Sequence, residues 1–239
     1  MKPLPDFGPL EERLGHVFRD HTLLLQALTH RSYINEHSEF THDHNERLEF
    51  LGDAVLELVV TEHLYKTYPN PEGDLTNWRA ALVNAKTLAE IGRELNFESY
   101  LLLSKGESKD KDSKARTYIL ANAMEAIIGA VYLDGGRPAA EKFIQGHILS
   151  ILPRILELKL YIDSKSKFQE TAQDMLGITP TYKVLKETGP DHQKEFTVGV
   201  FLNKDMIAVG SGTSKQEAQV AAAEAGLETK GWQVDKKTK

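Results

Sequence analysis

Three acids, Glu46, Glu49 and Asp53, stand in the stretch Asn45 to Val60, NERLEFLGDAVLELVV. The rest of that stretch carries the apolar residues of a buried helix: Leu48, Phe50, Leu51, Ala54, Val55, Leu58 and Val59. At about 100 degrees per residue, the three acids fall within an arc of about 60 degrees. Carboxylates crowded on one face repel one another, and burying any of them unpaired is expensive. A divalent cation would answer both problems, because Mg²⁺ prefers carboxylate and water oxygens. The competing reading is a solvated helix face partnered by Arg47 or a distant lysine, and Glu57 falls near the same face.

A second stretch, ILANAMEAIIGAVYLDGG, repeats the arrangement. The polar residues of its central turns are Asn122 and Glu125, three apart and therefore on one helix face. Two apolar helices, each offering oxygen ligands, can pack face to face and enclose a metal-binding cage, as bundle-core metal sites do.

The elements that must position these residues are legible up to about Leu160. HTLLLQALTH, ERLEFLGDAVLELVVTEHLYKTY, LTNWRAALVNAKTLAEIGREL, ILANAMEAIIGAVYLDGG and AAEKFIQGHILSILPRILELKL carry apolar residues at helical spacing. Breaks are expected at YPNPEGD, at SKGESKDKDSKA and at LDGGRP. Beyond Leu160 the texture changes. SKFQETAQDML reads as a short helix, and TPTYKVLKETG, KEFTVGVFLN and MIAVGSG read as three strands. TSKQEAQVAAAEAGLETKG reads as an alanine-rich helix capped by Thr213 or Ser214. The boundary belongs near Tyr161 to Lys165.

Composition sets the outer limits. The chain has 239 residues, 41% hydrophobic and 27% charged, which suits a soluble protein of one large or two modest domains. It has no cysteine, so disulfides, thiolate zinc sites and a cysteine nucleophile are excluded. No apolar run approaches the roughly 18 residues of a membrane span, and the start MKPLPDFGPLEERLG lacks the apolar core of a signal peptide, so a cytoplasmic location is expected. The net charge of −6 argues weakly against a nucleic-acid partner, but a local basic face is enough for phosphate binding.

ERLEFLGDAVL resembles the signature of ribonuclease III, the family of endonucleases that cut double-stranded RNA. LTHRSY (residues 28–33), PEGDLTNWRAALVNAKTLAEIGREL, ILANAMEAIIGAVYLDGG and the α-β-β-β-α order follow in family sequence. The resemblance covers nearly the whole chain. It implies an all-α catalytic domain over residues 6–136, a terminal helix and linker over 137–162, and a smaller α+β double-stranded-RNA-binding domain over 163–232. It implies a homodimer that uses Mg²⁺, with Mn²⁺ able to substitute. Such a dimer leaves 5′-phosphate and 3′-hydroxyl ends with a short 3′ overhang, and processes rRNA precursors and other structured RNAs.

Carried onto this sequence, the family's acids match Glu49, Asp53 and Glu125, with Asp53 and Glu125 catalytic and Glu49 and Glu125 ligating metal. Glu46 and Glu72 match further acids lining the cleft. Asn122 stands where the family commonly has Asp. An amide oxygen can still ligate, but it brings no charge. Loss of a charged ligand could weaken metal affinity by about 10- to 100-fold, to judge from what outer-shell losses do. The alternative function follows: a protein that binds double-stranded RNA with impaired or no cleavage. Phe50 is the dimer-contact aromatic by family analogy. From its own context it reads equally as a core residue.

Residues 163–230 hold eight Lys, no Arg and ten acids, so binding there depends on a few convergent groups. Gln169 and His192 are expected in two successive minor grooves of A-form RNA. Ser214 and Lys215 open the last helix, where free N–H groups favour phosphate. The stretch Ser104–Thr117, with five basic residues and three acids, reads as a loop that is either solvated or in contact with the RNA backbone. GSGTSK (residues 210–215) invites a nucleotide-loop reading but lacks the third glycine and a parallel βαβ unit. His37, His42 and His44 could suggest a His-based metal phosphohydrolase, against a plainer reading as solvated loop histidines.

Overall fold

The computed structural model describes residues 6–110, 113–161, 164–190 and 194–232. The chain divides into two compact units between Glu157 and Leu158.

The first unit is helical. Three short helices, α1 (Gly8–Leu14), α2 (His21–Ala27) and α3 (Arg31–Glu36), precede the long α4 (Glu46–Thr67). Then come α5 (Glu72–Val83), α6 (Ala85–Glu94), the short α7 (Lys105–Lys109), the 34-residue α8 (Lys114–His147) and α9 (Leu152–Glu157). α4 packs along α8, and α2 and α6 cover α8 from other sides. The core they share includes Leu24, Leu56, Leu64, Leu88, Leu120, Met124 and Ile127.

Three sequence expectations change here. The helix predicted over 75–95 is two helices, α5 and α6, parted at Asn84, whose ψ of 156° is extended. Asn84 serves both ends. Its Nδ2 donates to the carbonyls of Ala80 and Ala81 at 3.0 and 2.9 Å, and its Oδ1 accepts from Thr87 N at 3.0 Å. The break predicted at LDGGRP is a kink inside α8. Gly136 takes φ +72°, a left-handed conformation that glycine adopts without a Cβ clash, and Pro138 follows it. The Ser104–Thr117 stretch is not a plain loop. It holds α7 and the first turn of α8, and Arg116 is only 5% exposed, with Nε and Nη2 both 2.8 Å from Glu98 Oε1. Arg116 is therefore a buried structural cation, held by Glu98.

Asp134, near the kink, ties the N-terminal segment to α8. Its side chain is 3% exposed. Its Oδ1 accepts from Arg19 N and Asp20 N at 3.0 Å each, and its Oδ2 lies 2.9 Å from His16 Nε2. Burial pushes its carboxyl up. The donors from Asp20, Arg19 and His16 outweigh that, and the pKa lies below 3.8. A lowered acid stabilises the fold above its ordinary pKa, and that stability is lost as pH falls through the folded value. Asp134→Asn leaves buried donors short of an acceptor and is expected to destabilise the protein by about 2–4 kcal/mol at pH 7. Urea denaturation at pH 7 and at pH 3 tests this, with the difference shrinking at the lower pH.

The second unit is α10 (Ser164–Leu176), β1 (Thr181–Thr188), β2 (Glu195–Leu202), β3 (Asp205–Gly212) and α11 (Lys215–Lys230). The strands form one antiparallel sheet in the order β1-β2-β3. Its inner face contributes Val198, Val200 and Leu202, which close on Phe168 and Ala172 of α10 and on Ala218, Ala222, Ala223 and Leu227 of α11. The alanines let α11 lie close to the sheet. Ser214 is its N-cap, with Oγ accepting from Glu217 N at 3.1 Å. Glu217 reaches back to Thr213 N at 3.0 Å, so of the two caps anticipated the structure uses Ser214.

Candidate active site

α4 and α8 meet where neither has a side chain. A Cβ at Gly52 would lie 1.7 Å from the carbonyl oxygen of Glu125, and one at Gly129 would lie 2.3 Å from that of Leu48. This backbone contact brings Glu49 and Asp53, which flank Gly52, against Glu125. Sequence reasoning missed both glycines as site-building residues. The only signal was an isolated Gly in each of two otherwise strong helices, a spacing that costs about 1 kcal/mol relative to Ala unless packing requires it.

Neighbouring acids act on Glu125 and on Glu49. Burial, then the charges of Asp53, Glu49 and Glu57, push the Glu125 carboxyl up to about 7. Burial and the charges of Glu46 and Asp53 push Glu49 up, and a hydrogen bond from the Asn122 side chain pulls it part of the way back. Among the described residues no cationic side chain offsets these effects at either carboxyl. Among the described residues no three His, Asp or Glu side chains stand close enough to enclose a cation as they are. The donor set nevertheless fits a hard divalent ion: all oxygens, partly buried, and short of positive charge.

Among the described residues, only Glu46 of the others anticipated borders this cluster. Glu46 is at its rim, half exposed, 3.6 Å from Arg31 Nη1 and 3.9 Å from His44 Nδ1. Glu72 opens α5 and accepts from Thr76 Oγ1 at 2.9 Å. It lines a hollow with Thr61, Tyr65, Tyr68 and Arg79, and none of Glu49, Asp53 and Glu125 lines it. Phe50 is not a core residue: it is 82% exposed, and Leu58 is 55% exposed. With the exposed Ala54 they form an apolar line along α4 at intervals of four. The histidines anticipated in a loop are His37, the C-cap of α3, and His42 and His44, which lie before α4.

In the second unit Gln169 is exposed on α10. Lys215 is exposed at the start of α11, its Nζ 5.7 Å from the centre of the Phe196 ring. Ser214 already uses its hydroxyl as a cap. His192 lies outside the described residues. The glycines of GSGTSK answer to packing: a Cβ at Gly210 would lie 2.1 Å from Ala222 N, and one at Gly212 would lie 2.7 Å from Ala218 N.

Such an acid cluster in a helical unit, followed by an α-β-β-β-α unit, defines a class: a helical nuclease joined to a double-stranded-RNA-binding module. A Ribonuclease-III-like family model matches residues 20–152, and a double-stranded RNA binding motif matches residues 164–230. The chain is 47% identical over 221 residues to Ribonuclease 3 of Carboxydothermus hydrogenoformans, covering 92% of this chain and 93% of that protein. It is 44% identical over 217 residues to Ribonuclease 3 of Borreliella burgdorferi, covering 90% of this chain and 88% of that one. The crystal structure of the nuclease domain of Campylobacter jejuni ribonuclease III is 40% identical, with a TM-score of 0.54, covering 63% of this chain and 98% of that domain. The chain belongs to the ribonuclease III family of endoribonucleases. Its second unit is a double-stranded-RNA-binding domain, and no helix among the described residues is long and apolar enough to cross a membrane.

Proposed function

We propose that this protein hydrolyses phosphodiester bonds in both strands of double-stranded RNA, using Mg²⁺ or Mn²⁺ and leaving 5′-phosphate and 3′-hydroxyl ends with a short 3′ overhang. Its substrates are rRNA precursors and other structured RNAs of the cytoplasm. Catalytic, linker and RNA-binding segments are assigned to residues 6–136, 137–162 and 163–232. The observation that carries the reading is the convergence of Glu49, Asp53 and Glu125 at the α4–α8 crossing, with the Glu49 and Glu125 carboxyls raised by burial and by the charges of neighbouring acids.

Glu49 and Glu125 would hold the ion, with Asn122 beside them. When bound, a divalent ion lowers the pKa of a coordinated water and neutralises charge on the phosphate and the leaving oxygen. The backbone contact of α4 with α8 holds Glu49 and Glu125 near one another before RNA arrives, so less reorganisation remains for the reaction. Asp53 would organise the water around the ion, and Asn122 steadies Glu49 by donating to it. Glu46 borders the acid cluster, and Glu72 lines the hollow with Thr61 and Arg79; its assignment to the cleft rests on the family resemblance.

Phe50, Ala54 and Leu58 form the homodimer contact. Their exposure in a single chain supports this. So does a related nuclease domain, that of Campylobacter jejuni ribonuclease III, which has been described as structurally flexible in the region involved in dimer formation. Gln169 and His192 enter the minor grooves, and Ser214 and Lys215 meet the phosphates between them.

Cleavage of an RNA duplex of roughly 30 base pairs, about twice the footprint of one RNA-binding module, tests the reading across a Mg²⁺ titration. The protein is expected to cut, and Asn122→Asp is expected to reach half-maximal rate at about 10- to 100-fold less Mg²⁺. If only Asn122→Asp cuts, the protein binds double-stranded RNA without cleaving it.

A further inference from the structure

Glu57 is the fourth acid on the cleavage face of α4, one turn beyond Asp53, and its charge acts on Glu125. Like Glu46, which has Arg31 Nη1 at 3.6 Å, it has a cation near it, but the contact at Glu57 is shorter and its carboxylate less exposed. Arg79, on α5, places Nε 3.0 Å from Glu57 Oε2. The same guanidinium donates from Nη1 to Thr61 Oγ1 at 2.9 Å, so its plane is fixed from two points on α4, one turn apart. Both side chains are about two-thirds buried, at 35% and 38% exposure, so the pair is shielded from solvent more than an ordinary surface bridge.

We propose that Arg79 is a positioning residue that withholds Glu57 from the metal-binding acids and thereby sets how tightly the protein holds its divalent ion. The inference rests on the metal-dependent reading of the acid cluster. Without Arg79, Glu57 becomes a free carboxylate next to a set that already lacks positive charge. Ligand charge count tunes the affinity of oxygen sites for divalent ions. A surplus carboxylate tightens binding but also offers a resting place for the ion away from Glu49 and Glu125. A guanidinium suits the task better than an ammonium, because its fork engages the carboxylate and the hydroxyl together.

Calorimetric titration of the RNA-free full chain with Mn²⁺ alone tests this. Arg79→Ala is expected to bind Mn²⁺ roughly 10-fold more tightly, because one unpaired carboxylate is added to the ligand charge of the site. Glu57→Gln combined with Arg79→Ala is expected to return the affinity to within about two-fold of the parent, because the surplus charge is gone. Arg79→Lys, which retains the ion pair, is expected to stay near the parent. A purely structural Arg79 predicts the opposite: lower thermal stability, with Mn²⁺ affinity unchanged or weakened and no recovery in the double variant. That result overturns the proposal. Arg79→Gln, which keeps a donor for Thr61, repeats the test if the alanine variant fails to fold. Absence of any Mn²⁺ binding by the parent overturns this inference together with the metal-dependent reading. Binding by the parent that is lost in Glu125→Ala but is the same in Arg79→Ala overturns this inference alone.

Discussion

Glu125→Ala should reduce cleavage of double-stranded RNA by roughly 10³-fold or more at a Mg²⁺ concentration that saturates the parent, the scale of losing a preorganised charge in a reacting centre. Binding of the same duplex should change little, because the second unit is untouched. Single-turnover cleavage alongside a binding titration separates the two effects. Parental cleavage at low Mg²⁺ would sink the assignment of Glu125.

The same position carries an opposite effect on stability. Its folded pKa of about 7 lies above the ordinary 4.5, so folding favours the protonated form. Stability is present below pH 4.5 and lost as pH rises towards 7. The shift corresponds to about 3.4 kcal/mol without screening. Because the group retains solvent contact, a realistic value is on the order of 1–2 kcal/mol. In metal-free buffer Glu125→Gln should therefore be the more stable protein at pH 8 and equal to the parent at pH 4, as chemical denaturation can read.

Gly52→Ala should destabilise the nuclease unit by about 3 kcal/mol or more, and Gly129→Ala similarly. Helix propensity alone would favour alanine by about 1 kcal/mol. The contact decides otherwise: the new methyl would meet the Glu125 carbonyl oxygen at 1.7 Å, or the Leu48 carbonyl oxygen at 2.3 Å. The atoms met are backbone, so no rotamer relieves the clash and the helices must part. Overpacking of this kind costs about 1–3 kcal/mol in forgiving cores and more in rigid ones. A melting temperature lower by roughly 6–12 °C would be the thermal equivalent. Cleavage should fall further than stability explains, because separation of the helices also separates Glu49 and Asp53 from Glu125. A variant with the parental melting temperature would show that the helices can slide past the methyl.

Much of this was readable in the residues. The acid spacing on α4 and the matching Asn122 and Glu125 on α8 name one site from two distant segments, and helical periodicity is a local signal. The α-β-β-β-α order is also local. What escaped depends on where the backbone turns and on which segments then meet. Periodicity marks Phe50 and Leu58 as apolar, but it does not say whether the covering surface belongs to the same molecule. Asn84 sits in an unbroken helical pattern, and its double capping role appears only once the backbone turns there. Arg116 read as one of several loop cations, and its burial depends on Glu98, eighteen residues earlier in the chain. Arg79 carries no motif of its own, and its relation to Glu57 exists only because α5 folds back on α4.

The crossing at Gly52 and Gly129 also bears on how the molecule breathes. Two long helices in backbone contact, surrounded by fully buried Leu56, Leu120, Met124 and Ile127, cannot open there without exposing the centre of the unit. Amide protons at such a place exchange with solvent only through the largest unfolding event, whereas termini and short helices such as α7 open far more often. The residues proposed for cleavage thus stand on the most persistent part of the nuclease unit. Fluctuations that let RNA in and out can occur at its edges while the acids keep their relative positions, and chemistry and fold are lost together.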